Sequence, residues 1–274
     1  MIFQCRGRTI DLSQPKVMGI INLTPDSFYD GGRHLDDYLS LAERMLCEGA
    51  VILDVGGMST RPGAKIITAE EEVARIEEPL RRLIERFPEA IFSVDTLHAA
   101  TARLALQTGA HIINDITAGT YDKDMFSTVA SFGAAMCLMH IQGTPETMQH
   151  NPLYKDVVEE VYSFLEERIV LAKKTGVTSV IADVGFGFGK TLEHNYLLLQ
   201  SLHRFKKLQV PLLCGVSRKS MVTKLLHTTP DKALNGTTAL HTICLLQGAD
   251  ILRVHDVQEA VECIKITEAY RSRK

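Results

Sequence analysis

VMGIIN, residues 17–22, is a short apolar run that stops on Asn22, a polar side chain of a type that binds ligands. The design returns in AVILDVGG (50–57), with Asp54 and a following MSTRPG loop, in IFSVD (91–95), ending on Asp95, and in HIIND (111–115), with Asn114. It returns again in AAMCLMH (134–140), ending on His140, and in SVIADVGFG (179–187), with Asp183. PLLCGVSRK (211–219), with Ser217, Arg218 and Lys219, and ILRVH (251–255), with Arg253 and His255, complete a set of eight. Runs this short and this apolar read as strands buried on both faces. If all point the same way, their polar ends gather on one face, and one site can be assembled from places far apart in sequence.

The segments between the runs carry helical period. Leu35, Tyr38, Leu39, Ala42, Met45 and Leu46 repeat at three- and four-residue spacing up to Gly49. Val73, Ile76, Leu80, Leu83, Ile84 and Phe87 do the same in a Glu/Arg-rich stretch in which Pro79 predicts a kink. Val157, Val161, Phe164, Leu165, Ile169 and Leu171 form a third stripe that ends at Gly176. Gly109, Gly133 and Gly248 stand just before strand-like runs, where a helix C-cap calls for a left-handed residue. Strand–helix alternation repeated eight times, with no linker or low-complexity tract, predicts an α/β fold closed as a (β/α)8 TIM barrel, residues 1–274 forming one domain. In such a barrel the chemistry sits at the C-terminal ends of the strands.

Bulk properties narrow the class. At 274 residues and 45% hydrophobic the chain can bury a full core, and its net charge of −3 gives no footprint for nucleic acid or an anionic membrane. MIFQCRGRTIDL has no charged n-region followed by an apolar h-region, so no signal peptide is expected, and no apolar run is long enough to span a bilayer. The six cysteines are scattered without a CxxC pair, which points to reduced thiols in a cytoplasmic setting.

Residue types then suggest chemistry. Arg61, Arg218, Arg253 and His255 would bring cationic and hydrogen-bonding groups to one mouth, and guanidinium forks match phosphate oxygens in pairs. Asp95 and Asp183 can accept from amino and ring N–H groups, while Asn114 and Lys219 can address ring nitrogens or a carbonyl. The set suits an anionic, phosphorylated substrate bearing a flat, nitrogen-rich heterocycle. No HxxxH, HExxH or Cys/His cluster predicts zinc, whereas Mg2+ shared with substrate phosphates needs only one Asn or Asp ligand.

MGIINLTPDSFYDGG (18–32), DVGGMSTRPG (54–63), SVDT (93–96), INDI (113–116), GFGFGK (185–190), GVSRKS (215–220) and RVHD (253–256) resemble, in order, the motifs of the dihydropteroate synthase family. The resemblance spans almost the whole chain, and the combination NLTPDSF, STRPG and SRKS is highly specific. It implies a transferase of folate biosynthesis that condenses 6-hydroxymethyl-7,8-dihydropterin diphosphate with 4-aminobenzoate, giving 7,8-dihydropteroate and pyrophosphate. It also implies magnesium dependence, a homodimer, and inhibition by sulfonamides, which mimic aminobenzoate.

Carried onto matching positions, Asp95, Asn114, Asp183 and Lys219 would hold the pterin, with Arg253 stacked on its ring; Phe188 and Gly215 are further substrate-binding positions. Asn22 would meet magnesium and, with Arg253 and His255, the diphosphate. Thr60, Arg61, Pro62, Ser217 and Phe28 would border the aminobenzoate. The catalytic set implied is Asp95, Lys219, Arg253 and His255. Two positions depart from the usual motifs: Val184, expected to loosen the turn after Asp183, and Ile141, conservative in size.

Blander roles compete at several positions. Asp95 can cap a helix beginning near Thr96, and Asp256 reads as a cap. His140 reads as a satisfied core histidine, Lys190 as a solvated lysine, and Asp54 as an anchor for loop backbone. Glu70-Glu71-Glu72 reads as a favourable charge set at a helix N-terminus. Two other functions remain open at this point. One is methyl transfer from methyltetrahydrofolate to a corrinoid, against which the TPDSF, STRPG and SRK segments argue. The other is a pterin-binding homologue that has lost catalysis, against which intact Asn22, Arg61, Lys219, Arg253 and His255 argue.

Overall fold

The computed structural model describes residues 1–24 and 37–272. A hairpin comes first: β1 (Ile2–Cys5) pairs antiparallel with β2 (Arg8–Asp11), joining Phe3 to Ile10. Its turn residues Arg6 and Gly7 both have positive φ, +44° and +78°, the geometry that matches a tight hairpin to strand twist.

The barrel strands follow: β3 (Lys16–Asn22), β4 (Ile52–Gly56), β5 (Ile91–Asp95), β6 (Ile112–Asp115), β7 (Ala135–Met139), β8 (Val180–Asp183), β9 (Leu212–Cys214) and β10 (Ile251–Val254). They close in sequence order, with β10 hydrogen-bonded to both β9 and β3 and every pairing parallel. The crossover helices are α1 (Asp37–Glu48), α2 (Ala69–Arg86), α3 (Ala99–Thr108), α4 (Met125–Ser131), α5 (Val157–Thr175), α6 (Leu192–Gln200), a short α7 (Ser220–Thr223), α8 (Leu234–Leu246) and α9 (Val257–Arg271). The expected (β/α)8 barrel is therefore the fold.

Helix α5 shows how local sequence sets an element. Asp156 caps it by accepting from the Val158 and Glu159 amides, a contact worth about 1 kcal/mol. Val161, Leu165, Ile169 and Ala172 recur on its buried face, and Gly176 closes it in the left-handed conformation. Helix α2 runs unbroken from Ala69 to Arg86 with Pro79 inside it.

Period-two alternation sorts the strand residues. Leu53, Val55, Phe92, Val94, Ile113 and Leu252 face the helices and share their core. Met18, Ile52, Ile91, Ile112, Ile181, Leu213 and Ile251 point inward and form the lower storey of the barrel. Phe3, Cys5, Ile10 and Leu12 of the hairpin close that storey from below. One step up each strand the inward positions turn polar, at Asp54, Ser93, Asn114, Asp183 and Arg253. A dry floor thus supports a charged layer at the mouth.

Candidate functional site

Arg253 stands at the centre of the polar layer. It reaches inward from β10, donating from Nε to Asp54 Oδ2 at 2.6 Å and from Nη2 to Asp95 Oδ2 at 2.8 Å. Asn114 Nδ2 donates to the same Asp54 oxygen at 3.0 Å. Adjacent parallel strands explain the juxtaposition, because Asp95 lies beside Gly56 on one side and beside Asn114 on the other. Asp54 is fully buried, so its carboxylate depends on Arg253 and Asn114 for compensation.

One guanidinium serves two carboxylates, and the charge does not balance. Burial raises the Asp95 carboxyl to about 7, with Arg253 opposing the shift and Asp54 adding to it. Burial alone would lower the Arg253 guanidinium, but Asp54 and Asp95 outweigh it and hold the group above its ordinary value. Arg253 therefore stays charged, and of its two carboxylate partners Asp95 is the one whose carboxyl is raised by burial.

Lys219 enters from the loop after β9. Its ammonium donates to the Phe186 carbonyl and lies 4.6 Å from the Phe188 ring centroid. Desolvation lowers it to about 8, with Asp183 opposing. Gly215 lies beside it: a Cβ there would sit in ordinary contact, 3.7 Å from Lys219 Nζ and 4.0 Å from Arg253 Cβ. Asp183 is buried, and burial raises its carboxyl while Lys219 and the Gly185 amide pull it down. That amide donates to Asp183 Oδ1 at 2.8 Å across the turn at Val184.

His255 and Ser217 form a second pair, Ser217 Oγ lying 3.0 Å from His255 Nδ1 and accepting the His255 amide at 3.2 Å. Packing into the wall holds the imidazole down at about 4, helped by the charges of Arg253, Arg218 and Arg61, although the residue keeps an exposed face. Arg61 and Pro62 are exposed on the loop after β4, beside half-buried Thr60. That loop leans on the one after β7, where the Gly63 amide donates to the Pro145 carbonyl at 3.0 Å. Asn22 ends β3 beside Gly56, its Oδ1 3.9 Å from where a Cβ on Gly56 would lie. Phe28 lies outside the described residues.

Several simpler roles are corrected. Asp95 does not cap the helix: α3 begins at Ala99 with His98 at its N-cap, and the Asp95 carboxylate takes Arg253 instead. Asp54 binds side chains, not loop backbone. Asp256 makes no cap bond but receives Arg218 at 2.9 and 2.6 Å, so that guanidinium is paired within the protein. Glu70 and Glu71 are in the first turn of α2 as expected, yet Glu72 is fully buried and accepts from Thr96 Oγ1 at 2.5 Å. Burial raises its carboxyl. Lys190 is 3% exposed rather than solvated. His140 is a core histidine, as expected, held down to about 2 by burial and then by Lys190.

Sequence reading missed two supports. Asp115 is buried and accepts from the Thr117 amide and hydroxyl, both at 2.7 Å, and from the Gly119 amide at 2.7 Å, shaping the turn after β6. The hairpin plug was also unmarked, although Phe3, Cys5, Ile10 and Leu12 alternate around Arg6-Gly7 in the manner of a hairpin.

A family model described as pterin binding enzyme matches residues 18–255. The chain is 45% identical over 273 residues to the dihydropteroate synthase of Escherichia coli (strain K12), covering 98% of this chain and 96% of that one. Among solved structures it resembles the Yersinia pestis dihydropteroate synthase with a sulfonamide drug complex, with a TM-score of 0.94, 44% identity and coverage of 99% and 100%. It also resembles the Xanthomonas albilineans dihydropteroate synthase with 4-aminobenzoic acid, with a TM-score of 0.92, 38% identity and coverage of 99% and 98%.

Proposed function

This chain belongs to the pterin-binding enzyme family, as a dihydropteroate synthase, and from that premise we propose how its residues share the work. The reaction is a group transfer in folate biosynthesis: 4-aminobenzoate displaces pyrophosphate from 6-hydroxymethyl-7,8-dihydropterin diphosphate to give 7,8-dihydropteroate. The observation that carries the division of labour is the Arg253 fork on Asp54 and Asp95, with Asn114 on the same carboxylate. Asp95, Asn114, Asp183 and Lys219 hold the heterocycle by its amino, ring-nitrogen and carbonyl groups. Arg253 lies against the ring, and Phe188 and Gly215 border it. Thr60, Arg61, Pro62 and Ser217 border the aminobenzoate, where a sulfonamide would compete.

An aromatic amine keeps its lone pair at neutral pH and needs no strong base. The harder step is loss of pyrophosphate, and Arg253 and His255 face the departing oxygens as charge builds on them. The electron-rich pterin can carry a developing methylene cation, and Asp95 stabilises that cation electrostatically, which gives an SN1-like course. A dissociative isotope effect at the pterin methylene tests this; an associative value rules it out.

Asn22 offers one hard oxygen at the mouth, and no cluster of three metal-binding side chains is found among the described residues. That donor set fits magnesium, which keeps waters and substrate phosphates as most of its ligands. Bound there through Asn22 and the diphosphate, the ion would neutralise charge on the leaving group. We further propose a homodimer. Ile243 and Leu246 on α8 and Ile266 and Tyr270 on α9 are 40%, 49%, 66% and 65% exposed on adjoining helices, an apolar patch suited to a second copy. The six cysteines are all free, which supports a cytoplasmic setting, and among the described residues no helix is long and apolar enough to cross a membrane.

The direct test mixes purified protein with the pterin diphosphate, 4-aminobenzoate and magnesium and measures pyrophosphate and dihydropteroate together. Corrinoid-dependent methyl transfer without pyrophosphate would overturn the assignment.

A further inference from the structure

The GFGFGK segment (185–190) after β8 has no ladder partners, yet its carbonyls are all occupied. Gly185 O accepts from Lys190 Nζ at 2.9 Å, Phe186 O from Lys219 Nζ, and Gly187 O from Gln149 Nε2 at 2.7 Å. Phe188 O accepts from Lys190 Nζ at 2.9 Å, and Gly189 O from Tyr154 Oη at 2.7 Å. Gly185, Gly187 and Gly189 have φ of +70°, +86° and +62°, conformations outside a strand ladder, and apart from the Phe188 amide on Gly185 O these carbonyls are met by side chains.

Lys190 is the hub. It serves two of these carbonyls and reaches across to the loop after β7, contacting His140 O at 3.2 Å and His140 Nδ1 at 3.0 Å. The two loops touch through backbone: a Cβ on Gly185 would lie 2.0 Å from His140 O, and one on Gly189 would lie 2.5 Å from Gln142 O. A side chain buried to 3% exposure with three carbonyl acceptors and a fourth polar contact to His140 Nδ1 is a built feature of the mouth, and burial lowers its ammonium well below the ordinary lysine range. The mechanism above makes no use of it.

We infer that Lys190 is a positioning residue for the pterin half of the reaction: it fixes the 185–189 loop so that the Phe186 carbonyl and the Phe188 ring hold Lys219 against the heterocycle. This rests on the pterin-transfer reading. Lys190 touches no substrate. Its effect passes through Lys219, whose Nζ is bonded to the middle of the loop that Lys190 clamps on both sides.

The test compares wild type with Lys190→Met, which keeps length but removes every donor, and Lys190→Arg, which keeps N–H donors at the side-chain end. Binding of 6-hydroxymethyl-7,8-dihydropterin is measured by titration calorimetry, and KM is measured for both substrates. Lys190→Met is expected to weaken pterin binding about tenfold, the scale of one charged hydrogen bond, while the 4-aminobenzoate KM stays within about threefold and Lys190→Arg recovers part of the loss. With 15N-labelled histidine, His140 Nδ1 should resonate as an unprotonated acceptor in wild type and change in Lys190→Met. Equal shifts for both substrates, or no shift, overturn the inference. If Lys190→Met does not fold, Tyr154→Phe removes one donor from the same loop and should weaken pterin binding about threefold with little change for 4-aminobenzoate; equal or absent change overturns it. Wild type that binds no pterin overturns both this inference and the functional reading, whereas wild type and Lys190→Met binding pterin alike overturn this inference alone.

Discussion

Arg253 and Arg61 stand at the same mouth and are held in opposite ways. Arg253 donates to two carboxylates, one fully buried, and its strand neighbours fix it from below. Arg61 is exposed, and none of the hydrogen bonds found among the described residues involves its guanidinium; only its charge is felt, at His255. The deep half of the site is held by those bonds of Arg253 on adjoining parallel strands above an apolar floor. The rim presents an exposed Arg61 and the Asn22 oxygen at the end of β3. The contrast is one of support: if the proposed placement holds, the heterocycle would meet side chains already bonded to one another, and the second substrate would meet an exposed cation.

The largest expected effect comes from breaking the deep half. Asp54→Ala would leave Arg253 and Asn114 without their shared carboxylate and should cost about 3–5 kcal/mol of stability. Chemical denaturation of the ligand-free protein measures it, and a loss below about 1 kcal/mol would show that the layer is not held by this pair. At the rim, Arg61→Ala should leave the melting temperature unchanged while raising the KM of a substrate about tenfold or more, the scale of a lost charged hydrogen bond. A drop in melting temperature without a kinetic change would erase the distinction between the two arginines.

A pH test probes Asp95. Its carboxyl is raised to about 7, and the pterin N–H donors need the ionised form. Affinity for 6-hydroxymethyl-7,8-dihydropterin should therefore fall as pH drops below that value, by about tenfold per unit. The sign for stability is the reverse: the unfolded chain ionises Asp95 near the ordinary 3.8, so the ligand-free protein should lose stability as pH rises from about 4 to about 7. The smallest effect is expected for exposed Pro62, where Pro62→Ala should alter sulfonamide binding by a few-fold and leave pterin binding alone. Equal losses for both ligands would misplace that loop.

The barrel and most of its polar layer were legible because each strand announces itself as an apolar run with one polar interruption. Asp54, Asp95, Asn114, Asp183 and Arg253 all fall at such interruptions. What stayed hidden depends on contacts between elements distant in sequence. Lys190 looks like any lysine after a glycine-rich loop; only the approach of the β7 and β8 loops shows that it is enclosed. Asp256 sits where a cap belongs and is claimed instead by Arg218, 38 positions away. Glu72 belongs to a charged run, yet the close packing of α2 on Gly57 turns it inward. Local pattern fixes the direction of a side chain, whereas its partner is chosen by the fold.

The central claim is that the proposed pterin half is braced by its own buried ion pairs, whereas Arg61 at the proposed aminobenzoate rim is exposed. Calorimetric titration of each ligand alone into the free protein tests it directly. The pterin should bind by itself, and 4-aminobenzoate should bind only once pterin and pyrophosphate are present. Binding of 4-aminobenzoate to the free protein as tight as that of the pterin would contradict it.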